Sequence, residues 1–373
     1  MLNYIILISG WQYNSPRPWK GPALAETIQS QNNLQQKLEE LRRHVLPSSS
    51  TLILTHDYPD PDCIASAFGI SQLLSFWGAA SSVISFGGFI GRAENRAMIR
   101  FLNIHTIPFM LLELKDFERI IVVDCFPGKS NVSLSAQATV HAVIDHHRYG
   151  PVPGAPFYQD IRRDIGATST IVTEYLNAAG CPIHPKLATA LFYGLKTDTG
   201  DMGRESSQED LACYKSLFAL MDHALLAKIE NPDRDVAFFK ILHRASQSMI
   251  AFGSLGYIPL GSIASPDYVA EMADLFHSLA KIDTTVCCGV FKKNIFFSIR
   301  AKNRDEAGMN AEKIATALGG GGGGHGKMGA GRVPFDKAHE EELFARFLAT
   351  IKETFNIVTA KGVHILEDAR HKP

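Results

Sequence analysis

The feature that most constrains this chain is a set of short apolar runs, each closing on a residue that prefers water or a cation. "TLILTH" from Thr51, "SSVISF" over Ser81 to Phe86, "RIIVVD" over Arg119 to Asp124 and "HAVIDHH" ending at His147 are rich in β-branched residues. Helical stretches separate them. Near-continuous apolar strands alternating with helices predict an α/β fold with a parallel sheet covered by helices on both faces. In such sheets ligands gather at the carboxyl ends of the strands. His56 follows the first run, Asp124 closes the third and Asp145 closes the fourth. A polar strand end at a solvated rim would explain any one of them taken singly.

At 373 residues the chain exceeds the usual size of one domain. Residues 1–48 read as an extension whose helical pattern, "ALAETIQSQNNLQQKLEELRRHVLP", packs against the domain that follows. Residues 49–225 form the parallel-sheet domain, 226–242 a linker marked by "KIENPDRDV", 243–358 a smaller α/β domain, and 359–373 a polar tail. Helices are expected over 167–179, 186–196, 208–221, 236–250, 267–282, 311–318 and 339–355, with a hairpin-like pair in "TTVCCGVFKKNIFFSIRA".

Composition excludes several classes. No apolar run approaches ~20 residues, so no membrane span is expected. "YIILISGW" near the start lacks a basic flank and is short for a signal peptide, which makes the cytoplasm the expected location. Six cysteines without a CxxC pair indicate neither a zinc knuckle nor a disulfide framework. A net charge of −1 excludes a basic polynucleotide sleeve over the whole surface. Locally, Lys281 to Arg332 holds nine Lys or Arg against four Asp or Glu, which suits an anionic ligand or a solvated basic face.

"THDYPDPDCIAS" sets His56, Asp60 and Asp62 in an H-x3-D-x-D pattern after a strand. Three such side chains can converge in an open loop, and one imidazole with two carboxylates suits a divalent ion such as Mn²⁺. The same prolines and aspartates are good turn formers. Asp124 ends an apolar strand, where an ionised carboxylate needs a cation or strong donors. Asp198 in "KTDTGD" lies at an element boundary, as a ligand or a helix cap. With His146 they make six ligand-type residues on four segments, the supply for two metals about 3.5 to 4 Å apart sharing a carboxylate.

"HDYPDPDCIASA", "VVDCFPG", "VIDHHRYG" and "GLKTDTGDMG" occur in the order and spacing of the motifs of the DHH phosphoesterases. "GGGGGGHGKMGAGRV" is similar to the glycine-histidine motif of their DHH-associated C-terminal domain, so the resemblance covers about Thr51 to Pro334. It implies two Mn²⁺, with Mg²⁺ the other candidate. One would sit on His56, Asp60 and Asp124, the second on Asp62, Asp124, His146 and Asp198. His147 would face the substrate phosphate, with Asp145 behind the histidines fixing a ring tautomer. The first motif departs at Pro61-Asp62-Cys63, where many members carry Gly-Asp-Ala; the ligands are untouched.

Six glycines, Gly319 to Gly324, could be a flexible linker, yet they follow a helical pattern and lead directly into His325. Backbone N–H groups of Gly322, Gly323 and Gly324 can approach an anion closely. Arg300, at the end of "NIFFSIR", resembles the arginine with which the family's second domain grips its substrate, and a planar donor fork suits phosphate. Arg204, past Asp198, is a weaker phosphate-binding candidate.

The implied activity is two-metal hydrolysis of very short oligonucleotides to mononucleotides, with 3′-phosphoadenosine 5′-phosphate as a second substrate. Linear or cyclic dinucleotides are the close rival, and a catalytically dead nucleic-acid-binding scaffold the remote one. Partners are then a short single-stranded oligonucleotide or nucleotide and no membrane. A homodimer is compatible with the chain but not legible in it.

Overall fold

Apolar, mostly β-branched residues at Leu52–Leu54, Ile120–Val123 and Val143–Ile144 are buried on both sides of a sheet, and this burial is what organises the first domain. The computed structural model describes residues 24–366 apart from 130, 136, 148–154, 156, 205, 304 and 305. Residues 1–23 of the expected extension lie outside the described residues. In chain order the first domain runs α1 (Leu24–Val45), β1 (Thr51–Leu54), α2 (Pro61–Phe76), β2 (Ser82–Phe86), α3 (Ala93–Leu102), β3 (Thr106–Pro108), β4 (Arg119–Val123), β5 (Ala142–Asp145) and β6 (Tyr158–Ile161). Four helices follow: α4 (Thr168–Ala179), α5 (Pro185–Asp198), α6 (Gln208–Leu220) and α7 (His223–Glu230).

All six strands are parallel, in the order β3-β2-β1-β4-β5-β6. The two faces are covered differently. Ile53, Ile121, Val123 and Ile144 meet α1 to α5 in one core. Leu52, Leu54, Ile120, Val122 and Val143 meet Val132, Leu134 and Val140, with Phe109, Leu112, Leu114 and Phe117 at the edge. Helices were expected on this face too. Among the described residues the connections there hold the 3-10 turns Phe109–Leu111 and Leu114–Asp116, and the apolar side chains of the loops provide the cover.

The second domain contains α8 (Val236–Ser248), β7 (Ile250–Phe252), β8 (Leu255–Ser262), α9 (Asp267–His277), β9 (Thr284–Phe291), β10 (Asn294–Ala301), α10 (Ala307–Ala317), β11 (Gly321–His325), β12 (Met328–Pro334), α11 (Glu340–Thr354) and β13 (Val363–His364). Its seven strands run in the order β11-β12-β10-β9-β8-β7-β13, with α10 and α11 on one face and α8 and α9 on the other. The stretch 226–242, expected as a linker, is mostly helix: α7 ends at Glu230 and α8 starts at Val236. Residues 363–364 of the expected tail pair with β7, and Ile365 packs on the adjoining core; 367–373 lie outside the described residues. Ile250 leaves the expected helix for a strand because it pairs with Tyr257.

The glycine run is a strand. Gly321 to His325 pair in register with Arg332 to Met328. A Cβ on Gly322 would stand 2.6 Å from the carbonyl oxygen of Ala311 in α10. Glycine therefore lets the helix lie against the strand backbone. Among the described residues no helix is long and apolar enough to cross a membrane.

Helix α1 is anchored to the first domain by polar contacts as well as by Leu38, Leu41 and Val45. Gln35 Nε2 donates to the Ala178 carbonyl at 2.8 Å, and Lys37 Nζ lies 2.6 Å from the buried carboxylate of Asp160. Asp160 also accepts from Arg162 Nη2 at 2.8 Å and from the Tyr175 hydroxyl at 2.6 Å. Burial works against its ionised form, but the bonds and charge of Arg162, then Lys37, hold the carboxyl below its ordinary range. Such a depressed group stabilises the fold fully above its unfolded pKa of ~3.9, and the contribution is lost as pH falls through the folded value. Asp160→Asn is expected to cost about 3 kcal/mol at neutral pH in urea unfolding. The gap from the native chain should close as the pH drops below the folded pKa, and a gap independent of pH would count against this account.

Candidate metal centre

The carboxyl ends of β1, β4 and β5 and the end of α5 meet at one point. Past β1 the loop delivers His56, whose Nδ1–H donates to the Asp57 carbonyl at 2.9 Å. That bond leaves the Nε2 lone pair facing Asp60 Oδ2 at 3.5 Å and Asp124 Oδ2 at 3.8 Å. Asp60 caps α2, one carboxylate oxygen accepting from Cys63 N at 3.1 Å, so the other is turned to His56. Proline at the first position of α2 suits this start, where no N–H partner is needed.

Asp62, in the first turn of α2, is 1 % exposed and accepts from Thr168 N at 2.7 Å and Ser169 N at 2.8 Å, the opening of α4. Asp124 follows β4 with φ of 60°, a left-handed backbone seldom adopted by non-glycine residues. Its carboxylate accepts from Thr168 Oγ1 at 2.7 Å. His146, after β5, donates Nδ1–H to the Ile165 carbonyl at 3.2 Å. Its Nε2 lies 3.0 Å from Asp198 Oδ2 and 3.6 Å from Asp124 Oδ1. His147 bonds Asp145 Oδ1 twice, through its backbone N at 3.0 Å and Nδ1 at 2.8 Å.

The structure thus brings all six expected ligands into one cluster, with His147 and Asp145 beside it. Their donor atoms form overlapping groups: His56, Asp60 and Asp124 with Cys63; Asp124, His146 and His147; Asp62, His146 and Asp198. Asp124 joins the first two. Burial and the charges of Asp62 and Asp60 drive the Asp124 carboxyl well above its ordinary range, and burial with Asp198 pushes Asp62 up to about 7. Burial would lower His56, but the hydrogen bond and charge of Asp60 outweigh it and take the ring up to about 9. His146 is raised too, Asp198 outweighing burial.

These residues fit divalent cations. His146 Nε2 is buried and has no hydrogen bond among the described residues, although carboxylate oxygens surround it. Both imidazoles donate Nδ1–H to a backbone carbonyl, the outer bond that aims Nε2 at a metal. Oxygen and imidazole donors of this kind suit Mn²⁺ or Mg²⁺.

Two contributors escaped the sequence. Cys63 lies within reach of the first group, but burial and then Asp60 and Asp124 raise its thiol well above the ordinary value, so it stays protonated and ligates poorly. Thr168 grips Asp124 from a helix start that carried no signal beyond its position.

The substrate residues are placed less uniformly. Arg300 lies apart from the cluster, its guanidinium engaged by both carboxylate oxygens of Asp274, Ser298 Oγ and the Ile299 carbonyl. Asp274 also takes Arg92 of the first domain at 3.1 Å. Arg204 is exposed, with Nη1 3.6 Å from Met328 Sδ at the start of β12. Gly322, Gly323 and Gly324 lie in β11; the backbone of His325 ends that strand, and its side chain is outside the described part of the structure.

Comparison with known proteins agrees with this division. Residues 50–195 match the model of the DHH family, N-terminal domain, and residues 252–356 that of the DHHA1 domain. An uncharacterized protein of Methanocaldococcus jannaschii is 33% identical over 285 residues, covering 76% of this chain and 58% of that protein. A protein of Streptococcus agalactiae named "Probable manganese-dependent inorganic pyrophosphatase" is 26% identical over 155 residues, 40% of this chain and 49% of its own length. The chain therefore spans about half the length of these relatives. Among solved structures, an exopolyphosphatase-related protein from Bacteroides fragilis superposes with a TM-score of 0.69 at 15% identity, over 87% of this chain and 98% of its own, which establishes a shared fold.

Cation binding must displace the protons that His56, His146 and the carboxylate pair hold in the metal-free protein. Mn²⁺ affinity should accordingly rise with pH through about 7 to about 9, the ordinates at which Asp62 and His56 titrate. Calorimetric titration at pH 7 in two buffers of different ionisation enthalpy should detect net proton release. Identical heats in both buffers would contradict the protonated cluster.

Proposed function

The chain belongs to the DHH family of phosphoesterases, a DHH domain followed by a DHHA1 domain, and on that premise we propose that it hydrolyses very short oligonucleotides to mononucleotides with two Mn²⁺ ions, and 3′-phosphoadenosine 5′-phosphate as a second substrate. One observation carries this reading: a bare sheet face in the second domain whose ends touch Arg204 and Tyr58 of the first. Gly321 pairs with Arg332 and Gly323 with Ala330, so the four share one face of β11 and β12. A Cβ on Gly321 or Gly323 would meet nothing within 4 Å. Contacts at the two ends of β12, Met328 to Arg204 and Arg332 beside Tyr58, stretch this face between the loops that flank the ligands.

A flat track with cations at both ends suits an extended ligand carrying phosphates at intervals, better than a compact pyrophosphate. As an edge strand β11 also leaves alternate N–H groups unpaired within its sheet, available to phosphate oxygens. The sequence likeness to pyrophosphatases spans 40–47% of the chain, and the DHHA1 match covers residues 252–356.

Bound at His56, Asp60, Asp62, Asp124, His146 and Asp198, the cations would supply a water acidified to near neutrality and positive charge for the phosphoryl oxygens. The chain does the positioning. Asp145 fixes the orientation of the His147 ring through Nδ1, the ring that would face a phosphoryl oxygen. Thr168 restrains the Asp124 carboxylate, and the α4 backbone restrains Asp62.

The test is a Mn²⁺-supplemented panel of di- to pentanucleotide RNA, linear and cyclic dinucleotides, 3′-phosphoadenosine 5′-phosphate and pyrophosphate. Mononucleotides are expected from the shortest RNAs; exclusive turnover of pyrophosphate would refute the reading. Asp124→Asn should reduce turnover at least ~100-fold and raise metal-free stability by about 1 kcal/mol, since it removes a carboxylate crowded by carboxylates. The glycine strand should divide by face. Gly323→Leu is expected to raise KM on the order of tenfold with an unchanged melting temperature, and Gly322→Ala to destabilise by about 1 to 3 kcal/mol through collision with α10. Equal effects at the two positions would remove the two-faced description.

A further inference from the structure

Between the two domains lies a cavity of about 300 Å³ that the hydrolytic chemistry leaves unused. Its inner wall starts at Tyr58, between the ligands His56 and Asp60. The Tyr58 backbone is left-handed, with φ of 58°, an uncommon conformation for an aromatic residue. Its neighbours impose it. Tyr58 N donates to the Gly87 carbonyl at 3.0 Å, and the Asp57 carboxylate accepts from Ser133 N at 2.9 Å and Oγ at 2.8 Å. Gly88 has no side chain because a Cβ would stand 2.7 Å from the tyrosine ring.

The ring held this way meets Phe89 edge-on at 5.2 Å and Phe296 of β10 at 6.5 Å, and Phe89 in turn meets Phe291 of β9 at 5.9 Å. Each domain therefore contributes two aromatic rings. Arg332 and Lys292, both exposed, stand at the rim, and neither has a carboxylate within ion-pair distance among the described residues. A plain hydrophobic contact between domains closes to crystal-like density. This one stays open at a volume within the range of small-ligand clefts, with two cations at its edge, Arg332 and Lys292, the latter lying over the Phe291 ring.

We propose that the cavity is a nucleobase subsite, holding one base of the substrate among Tyr58, Phe89, Phe291 and Phe296 while the adjoining phosphate lies on Arg332 and Lys292. The proposal rests on the nucleotide reading above and specifies how such a substrate is held. Every base has a π-face, so aromatic walls favour nucleotides over inorganic phosphates with little preference among bases. The domain interface then acts as part of the specificity apparatus, since the rings come from both sides.

The test uses the full chain with Mn²⁺ and three substrates: an intact dinucleotide and its two forms lacking one or the other base. For the native chain, loss of one particular base should lower kcat/KM about tenfold. Phe89→Leu should lose a similar factor on the intact dinucleotide, mainly through KM, and lose nothing further on that abasic form. Arg332→Gln, an exposed position safe for folding, should raise KM for all three. A Phe89→Leu defect of equal size on intact and abasic substrates, or no defect, would overturn the proposal while leaving the hydrolytic reading in place. Binding of a 2-aminopurine dinucleotide with Ca²⁺ replacing Mn²⁺ gives a readout independent of turnover. Quenching in the native chain that is lost in Phe89→Leu supports the subsite even if no nucleotide is cleaved, and quenching that persists unchanged in the variant refutes it.

Discussion

The arrangement depends on a concentration of negative charge that the fold does not neutralise by itself. Asp62 and Asp124 are almost fully buried, with Asp60 and Asp198 close by, and among the described residues no Lys or Arg pairs with any of them. Buried carboxylates without a cation accept protons or partners. Here they receive hydroxyl and backbone donors from Thr168 and Ser169 and the Nε2 atoms of two histidines. The donors restrain geometry and leave charge to be compensated from outside the chain. A centre built in this way trades stability of the empty protein for readiness to take up cations.

That centre is mechanically tied to the rest of the first domain. Asp62 belongs to α2 but holds the first N–H groups of α4, and α4 packs on α1. Arg92 and Arg300 share Asp274, and Arg234 links Glu94 with Glu271, so charged contacts join the two domains. Beside Tyr58 the interface is instead aromatic and open.

The candidate metal centre was legible because residues such as Asp124 and His146 sit at ends of strands, where an apolar run that stops on a carboxylate or imidazole is conspicuous in a linear text. Asp124 and His146 announce themselves in that manner. The parallel sheet was legible for the same reason. Thr168 and Tyr58 were not, since their significance lies in partners more than 28 positions away, such as Asp124, Phe89 and Phe296. Arg300 shows the converse: its residue type suggests a phosphate fork, and only the folded chain reveals that Asp274 and Ser298 engage that fork. The cover of the second sheet face escaped because loop residues such as Val132 and Leu134 have no periodicity to betray their burial.

The run Gly319 to Gly324 carries a broader implication about how sequence stores information. A repeated letter usually counts as low in content. In β11 the letter has two meanings that alternate with the pleat: at Gly322 the space belongs to the backbone of α10, and at Gly321 and Gly323 it is left vacant toward the cleft. Two independent messages are thus written in one character, and a copying error at neighbouring positions would corrupt different ones. Homopolymeric stretches in folded domains can be as densely specified as varied ones when each face of a strand answers to its own neighbour.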